Sequence, residues 1–326
     1  MPTAPWLTIV ATEIGAFASH ELRADSLARL AGRGALSHTW PRIRADTPLR
    51  PWQHAFIDAL ELASGSLASA PITAGVDGYW LQAQPVHFAA GLDRLTFVEL
   101  RGESQLDDRE RAALFDTLAS SFSSGDFVLH SKGGEWFICA AHALQVTTSP
   151  PEAAATNDLS TVMPHGEDAP ALRRLMTELQ MLLHDHPVNE VRARRGLPAV
   201  NAIWPWGGGL AAEMKVSSDL PLALSIDSFA LGLYRLSGSQ IQSSPKDAQD
   251  LMQTIGAIPR ALLVMPFDDL QVLDSQWLAP LSRALAQGRL SRLDLVVDGW
   301  HVDVRRADLR RFWRRALPPA QWQGQE

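Results

Sequence analysis

LHDHPVNEVRARRGLPAVNAIWPWGGG, Leu183 to Gly209, is the least average stretch of this 326-residue chain and the one from which its fold is read. Upstream of it, Asp168 to His184 predicts an amphipathic helix. Asp168 stands at the cap position, Pro170 lies in the first turn, and Leu172, Leu175, Met176, Leu179, Leu182 and Leu183 make one apolar stripe. Pro187 is expected to end that helix. A basic segment with Arg192, Arg194 and Arg195 follows and closes at Gly196. Ala199 to Trp204 then reads as a strand, leading through Trp204-Pro205-Trp206 into a glycine turn, Gly207 to Gly209. Helix, turn, strand and glycine-rich turn is the layout of a ligand-facing edge in an α/β protein.

Composition sets the frame. The chain is 46% hydrophobic and 20% charged, ordinary for a globular protein, and long enough for one large or two modest cores. A formal net charge of -7 gives no global electrostatic case for nucleic acid. The single cysteine, Cys139, excludes an intramolecular disulfide and a cysteine metal cluster, and reads as a small buried hydrophobe. No basic segment precedes the first apolar residues, so no secretory signal is expected, and no apolar run is long enough for a membrane span. A cytoplasmic location is the expectation.

Working outward, Trp6 to Val10 predicts a first strand, and Leu22 to Leu36 and Trp52 to Leu67 predict helices. Ser64 to Gly78 reads as a linker. From Tyr79 to Ala153 the texture changes: strands at Trp80–Val86 and Leu95–Leu100, a helix over Asp107–Phe122 with an Asp107/Glu110 capping box, and a hairpin over Asp126–Ala140 around Gly133-Gly134. Ser149 to Asp168 reads as an exit linker. Beyond the glycines, Pro245–Gly256 and Ser275–Gln287 predict helices and Arg260–Pro266 a buried strand. Leu293–Val304 is a hairpin around Asp298-Gly299, and Asp308–Ala316 a terminal helix. The predicted fold is α/β, a mainly parallel sheet flanked by helices. Residues 1–78 and 154–326 form the core, and residues 79–153 an inserted α+β module.

Several residues could carry chemistry. His184 and His186 could ligate a metal with His165, Asp168 or the strand-end carboxylates Asp268 and Asp269; the competing reading is a capped helix end and solvated loop carboxylates. Asn189, Arg192 and Asn201 could bind a ligand or brace a turn against a strand. Gly207 and Gly208 could offer backbone N–H groups to an anion. Alternation puts Trp204 and Trp206 on one face, for a ligand or for the core. Six arginines between Arg305 and Arg315 make a basic cluster on the predicted last helix, with Trp313 packed inward; it could contact nucleic acid, an anionic lipid surface or an acidic partner, and the competing reading is a solvated face.

His186-Pro187-Val188-Asn189, Arg192, Gly196, Pro198-Ala199, Asn201 and Gly207–Gly209 resemble a stretch of the archaeal-type, cofactor-independent phosphoglycerate mutases of the alkaline-phosphatase-like superfamily. Gln84 to Phe88, His184 to Asn189, Trp204 to Gly209 and Arg305 to Trp313 also resemble a bacterial family of RpfE-type regulatory proteins. The first resemblance implies two divalent metals and a phosphoserine. This sequence departs from that pattern. Its first strand leads into Ala11-Thr12-Glu13-Ile14-Gly15 without Asp-Gly, no serine has the nucleophile's context, no His follows Asp268-Asp269, and Trp206 stands in place of an Arg. The reading is therefore a phosphoglycerate-mutase-like protein that acts by binding or regulation, on a small phosphorylated ligand or a protein partner. No cofactor, nucleic acid or membrane is expected. The alternatives are a metal-dependent (Mn/Mg) phosphotransferase with rearranged ligands, and a nucleic-acid-associated protein using the C-terminal arginines.

Overall fold

The computed structural model describes residues 4–12, 24–38, 47–60, 62, 67–74, 78–91, 95–210, 216–256, 258–267, 269–297 and 300–324. They pack as two units, one of residues 1–41, 51–64 and 216–326, the other of residues 42–50 and 65–215. Elements are numbered along the chain.

The first unit holds a seven-stranded sheet of β1 (Trp6–Thr12), β2 (Ala35–His38), β10 (Leu222–Ser225), β11 (Ile241–Gln242), β12 (Arg260–Pro266), β13 (Arg292–Val297) and β14 (Trp300–Arg305), ordered β11-β10-β12-β1-β13-β14-β2. β11, β10, β12, β1 and β13 are parallel; β14 and β2 extend the sheet antiparallel. Leu7–Val10 and Ala261–Val264 are almost unbroken apolar runs, as strands covered on both faces require. Leu7 and Ile9 pack with α1 (Asp25–Arg33), α10 (Ala248–Ile255) and α12 (Ala279–Ala286) in one core cluster. Trp6 and Thr8 alternate to the other face, where α2 (Pro51–Ala59) contacts β1 and β13. On that side α9 (Ser228–Ser237) meets α2, with Phe229 edge-on to Trp52 at 5.8 Å and Tyr234 stacked on Phe56 at 6.3 Å. Ahead of α12, α11 (Leu270–Val272) runs into a turn of π-helix, Leu273–Leu278. That turn aims the buried Asp274 carboxylate at the start of α1, where it accepts from the Leu27 and Ser26 N–H groups at 2.7 and 3.2 Å.

The second unit is built on β3 (Tyr79–Ala90), which pairs antiparallel with β4 (Leu95–Glu99), β6 (Glu135–Ala140) and β9 (Ala202–Leu210). β5 (Phe127–Lys132) pairs with β6 across Gly133 and Gly134, whose φ values of 60° and 83° are those of a tight hairpin turn. β7 (Val146–Thr147) and β8 (His165–Gly166) form a short ribbon. Around the sheet lie α3 (Ser69–Ala74), α4 (Asp108–Ser121), α5 (Pro151–Thr156), α6 (Leu159–Val162), α7 (Ala169–His184) and α8 (Pro187–Arg194).

The α/β class with a mainly parallel sheet stands, as do both hairpins, although Asp298-Gly299 lie outside the described residues. The unit boundary falls later than residue 153, because β9 pairs with β3 and α7 packs on β9. Four local expectations are corrected. The segment from Ser64 to Gly78 contains α3, all six of whose residues are buried. Ser149–Asp168 contains α5 and α6 rather than running as a linker. Pro187 opens a helix, at the position where a missing N–H costs nothing. Asp308–Ala316 is no helix: only Asp308–Arg310 makes a single 3₁₀ turn. No helix of the described residues is long and apolar enough to cross a membrane.

Candidate functional site

The segment that decided the fold is held by its own polar side chains. His186 caps α8: its Nδ1 accepts from the Val188 N–H at 3.2 Å, and its Nε2 lies 3.0 Å from Thr117 Oγ1. Thr117 donates its own proton to Ala113, so Nε2 carries the His186 proton and donates to Thr117, and the ring is neutral. Burial lowers its pKa, in agreement. Asn189 is buried and donates to the Leu183 and Val200 carbonyls, both at 2.8 Å, while accepting from Val200 N–H at 2.7 Å. Asn201 pairs its side-chain amide with both backbone groups of Phe88, at 2.7 and 2.9 Å. Arg192 is fully buried (0% exposed). It donates to Pro198 O at 2.8 Å, to Ser104 O at 2.5 Å and to Glu110 Oε2 at 2.7 Å. Glu110 is the acid of the Asp107/Glu110 capping box, so the cap of α4 is also the anchor of α8.

Trp204 and Trp206 do share a face, and both are core residues of one apolar cluster. Trp204 donates to Ser149 O at 2.8 Å and meets Phe97 edge-on at 5.4 Å. The three glycines do not form a turn; they lie within β9, at a bulge where the register shifts opposite Leu81. Gly207 has φ +68°, and a Cβ there would stand 2.9 Å from Ser69 Cβ and 3.2 Å from Pro48 O; one on Gly209 would stand 2.6 Å from Ala68 Cβ. Gly207 and Gly209 are glycine because the chain around α3 lies directly on them, and Gly208 because the Tyr79 and Leu81 side chains do. Gly207→Ala is expected to destabilise the protein by about 2–3 kcal/mol, combining left-handed strain with overpacking, as read by urea unfolding.

Beneath Trp206 lies a charged cluster with no local signature in the sequence. The Arg50 guanidinium sits 4.9 Å over the Trp206 ring, whose buried Nε1 has no hydrogen-bond partner. Arg50 donates to Gln84 Oε1 at 2.6 Å and pairs with Glu99 at 3.4 Å and Glu152 at 3.3 Å. Arg101 reaches Glu99 at 2.6 Å and Glu152 at 3.5 Å, and Gln84 donates to Glu99 at 2.7 Å. Burial pushes the Glu99 carboxyl up, but Arg50, Arg101 and Gln84 outweigh it and hold Glu99 below its ordinary value. Glu152 moves the other way: burial, with the Glu99 charge beside it, outweighs the two arginines and raises it. The two carboxyls are thereby driven apart, Glu99 toward its charged form and Glu152 toward its protonated one.

In the first unit two places concern ligands. At the carboxyl ends of the parallel strands, Asp269 accepts from the Gln271 N–H at 2.7 Å and Asp227 from Ala230 N–H at 2.9 Å, each capping a helix; Ser225 Oγ donates to Val264 O at 2.8 Å. Asp268 lies outside the described residues. His184 belongs to the second unit and is solvent-exposed, 3.8 Å from Asp185. Among the described residues no three His, Cys, Asp or Glu side chains gather as a metal site. The other place lies at the amino ends of the strands, under α2: a pocket of about 220 Å³ lined by Trp6, Thr8, Asp58, Arg260, Arg292, Asp294 and His301, with Ala55, Ala59 and Val296. Arg260 and Arg292 lie over the Trp6 ring at 4.3 and 4.2 Å. Asp294, 2% exposed, accepts from Trp6 Nε1 at 2.5 Å and Arg292 Nε at 3.0 Å, with His301 at 3.4 Å. Thr8 Oγ1 is buried without a hydrogen-bond partner. Sequence reasoning missed this pocket. Its signal was polar residues at every second position, Trp6 and Thr8 on one strand, Arg292 and Asp294 on another, within otherwise apolar strands.

This architecture is that of an α/β protein with a mainly parallel sheet. No protein-family model matches the chain. The 2,3-bisphosphoglycerate-independent phosphoglycerate mutase of Methanothrix thermoacetophila is 39% identical over 66 residues, which are 20% of this chain and 17% of that protein. Among solved structures, the cofactor-independent phosphoglycerate mutase from Thermoplasma acidophilum aligns over 98% of this chain and 95% of its own, with a TM-score of 0.45 and 14% identity. The PH0037 protein from Pyrococcus horikoshii aligns over 90% of this chain and 82% of its own, with a TM-score of 0.50 and 14% identity. At that identity the likeness to the PH0037 protein is one of fold.

Proposed function

We propose that this is a phosphoglycerate-mutase-like protein that works by binding a small phosphorylated ligand rather than by two-metal phosphoryl transfer. The observation that carries this reading is the pocket under α2. Two guanidiniums, an imidazole and a buried hydroxyl are groups that a phosphate monoester takes as partners, and the Arg292 guanidinium also pairs with the Asp294 and Asp303 carboxylates. The helix-capping roles of Asp227 and Asp269 agree with it, since carboxylates fixed as caps are not poised to hold a pair of cations. On this reading the protein needs no cofactor, resides in the cytoplasm and serves in regulation, as the sequence resemblance to RpfE-type proteins would imply.

Ligand at about a hundred times its Kd stabilises a folded protein by about 2.7 kcal/mol. Titration with 3-phosphoglycerate is therefore expected to raise the unfolding midpoint of the wild type. Arg292→Gln, checked for folding by circular dichroism, should abolish the rise. No rise in the wild type, or the same rise in the variant, would overturn the assignment. The match of 66 residues to a mutase favours a second reading, a metal-dependent phosphotransferase with relocated ligands; turnover that depends on Mn²⁺ would establish it.

A further inference from the structure

The arginine-rich segment near the C-terminus presents a surface that none of the preceding chemistry uses. The spacing of Leu309, Trp313 and Ala316 predicts a helix with Trp313 packed inward, but the segment is a pinned turn. Arg311 donates to Arg33 O at 3.3 Å and pairs with Asp308 at 2.9 Å, and Leu317 N–H bonds to Ala28 O at 2.8 Å. Leu309 and Leu317 pack against the core on either side. Between these anchors Phe312 and Trp313 point outward, 78% and 68% exposed, their rings 5.4 Å apart and crossed at 81°. Arg305, Arg306, Arg310, Arg314 and Arg315 around them are exposed as well. Residues 305–315 thus carry six arginines against one aspartate, in a chain whose net charge is -7.

We propose that this turn docks on an anionic phospholipid surface, with the two rings in the headgroup layer and the arginines on lipid phosphates. Arg-Arg-Phe-Trp-Arg-Arg sets the apolar rings at the tip and the cations as a collar around them. That is the division of labour at a membrane interface, where aromatic rings lodge at headgroup level and each basic residue adds attraction to acidic lipid. The charge pattern also orients the protein, because an acidic body is repelled while the turn is drawn in. A single-stranded nucleic acid suits the geometry less well. Successive bases stack on ring faces, and rings crossed at 81° do not offer two parallel faces. The sequence alone leaves the arginine cluster open to nucleic acid, an anionic lipid surface or an acidic partner, with a solvated face favoured and Trp313 on the packed side of a helix.

The test is co-sedimentation of the full chain with vesicles of phosphatidylcholine alone or mixed with phosphatidylglycerol. Binding is expected only to the mixed vesicles, weakening as salt rises. Phe312→Ala/Trp313→Ala is expected to lower the partition coefficient about tenfold or more, and Arg310→Gln/Arg314→Gln comparably. Both sets of side chains are exposed, so the unfolding midpoints should match the wild type. No binding to the mixed vesicles, unchanged binding of the double aromatic variant, or tighter binding of a single-stranded oligonucleotide through the same residues would overturn the proposal.

Discussion

Arg192→Ala is expected to lower the stability of the protein by about 3–5 kcal/mol, the usual cost of removing one partner of a buried ion pair. The substitution leaves Glu110, 7% exposed, with its charge uncompensated apart from the more distant Arg195, and it strips the Pro198 and Ser104 carbonyls of their donors. Arg192→Lys should recover little, because one ammonium cannot reach three acceptors held in the plane of a guanidinium. Replacing both members, as in Arg192→Met/Glu110→Met, should cost less than the sum of the two single changes, since neither charge is then stranded. Urea unfolding of the wild type, these three variants and the two single methionine variants measures this. A cost under 1 kcal/mol for Arg192→Ala would mean that the guanidinium is not the brace described, and a ligand role for it would reopen.

The second large effect concerns the two glutamates under Trp206, and the two should behave oppositely. Glu99→Gln leaves Arg50 and Arg101 facing a single carboxyl that burial already drives toward its protonated form, and should cost roughly 2 kcal/mol at neutral pH. Glu152→Gln should be neutral or stabilising there, because the folded protein disfavours that charge. The signs follow from linkage. Glu152 has its folded pKa raised, so the folded state holds a proton that the unfolded state releases. Its contribution is greatest below the ordinary glutamate value of 4.5 and declines as pH rises from there through the folded value. Glu99 has its folded pKa lowered, so its contribution is present above 4.5 and disappears as pH falls through the folded value. Unfolding free energies across pH should show the Glu152→Gln profile flatter than wild type above 4.5, and the Glu99→Gln profile flatter on the acid side. Equal costs for the two substitutions at neutral pH would contradict this division.

What could be read from the chain was local. The Asp107/Glu110 capping box, the alternation that puts Trp204 beside Trp206, the apolar runs of β1 and β12 and the Gly133-Gly134 turn all act over a few residues. What escaped depended on distant partners. Arg192 lies 82 residues from Glu110, and Arg50 lies 49 from Glu99 and 102 from Glu152, so nothing nearby announced either network. The glycines of β9 took their meaning from Ser69 and Ala68, in a segment read as a linker. Pro187 is ambiguous by nature, since proline ends one helix and starts the next equally well. In the last segment the helical spacing was genuine, but its ties to Arg33 and Ala28 hold the backbone in a turn. Asn189, Arg192, Asn201, Trp204, Gly207 and Gly208 read as ligand candidates in the sequence. Their contacts bind the protein to itself.

The most direct test of the central claim is a phosphoglycerate mutase assay on the purified protein, with and without Mn²⁺, alongside its metal content. Binding without two-metal chemistry predicts no turnover in either condition and no stoichiometric metal. Turnover that Mn²⁺ supports and a chelator abolishes would contradict it, and would show that carboxylates and imidazoles assemble a metal centre in a way not visible among the described residues.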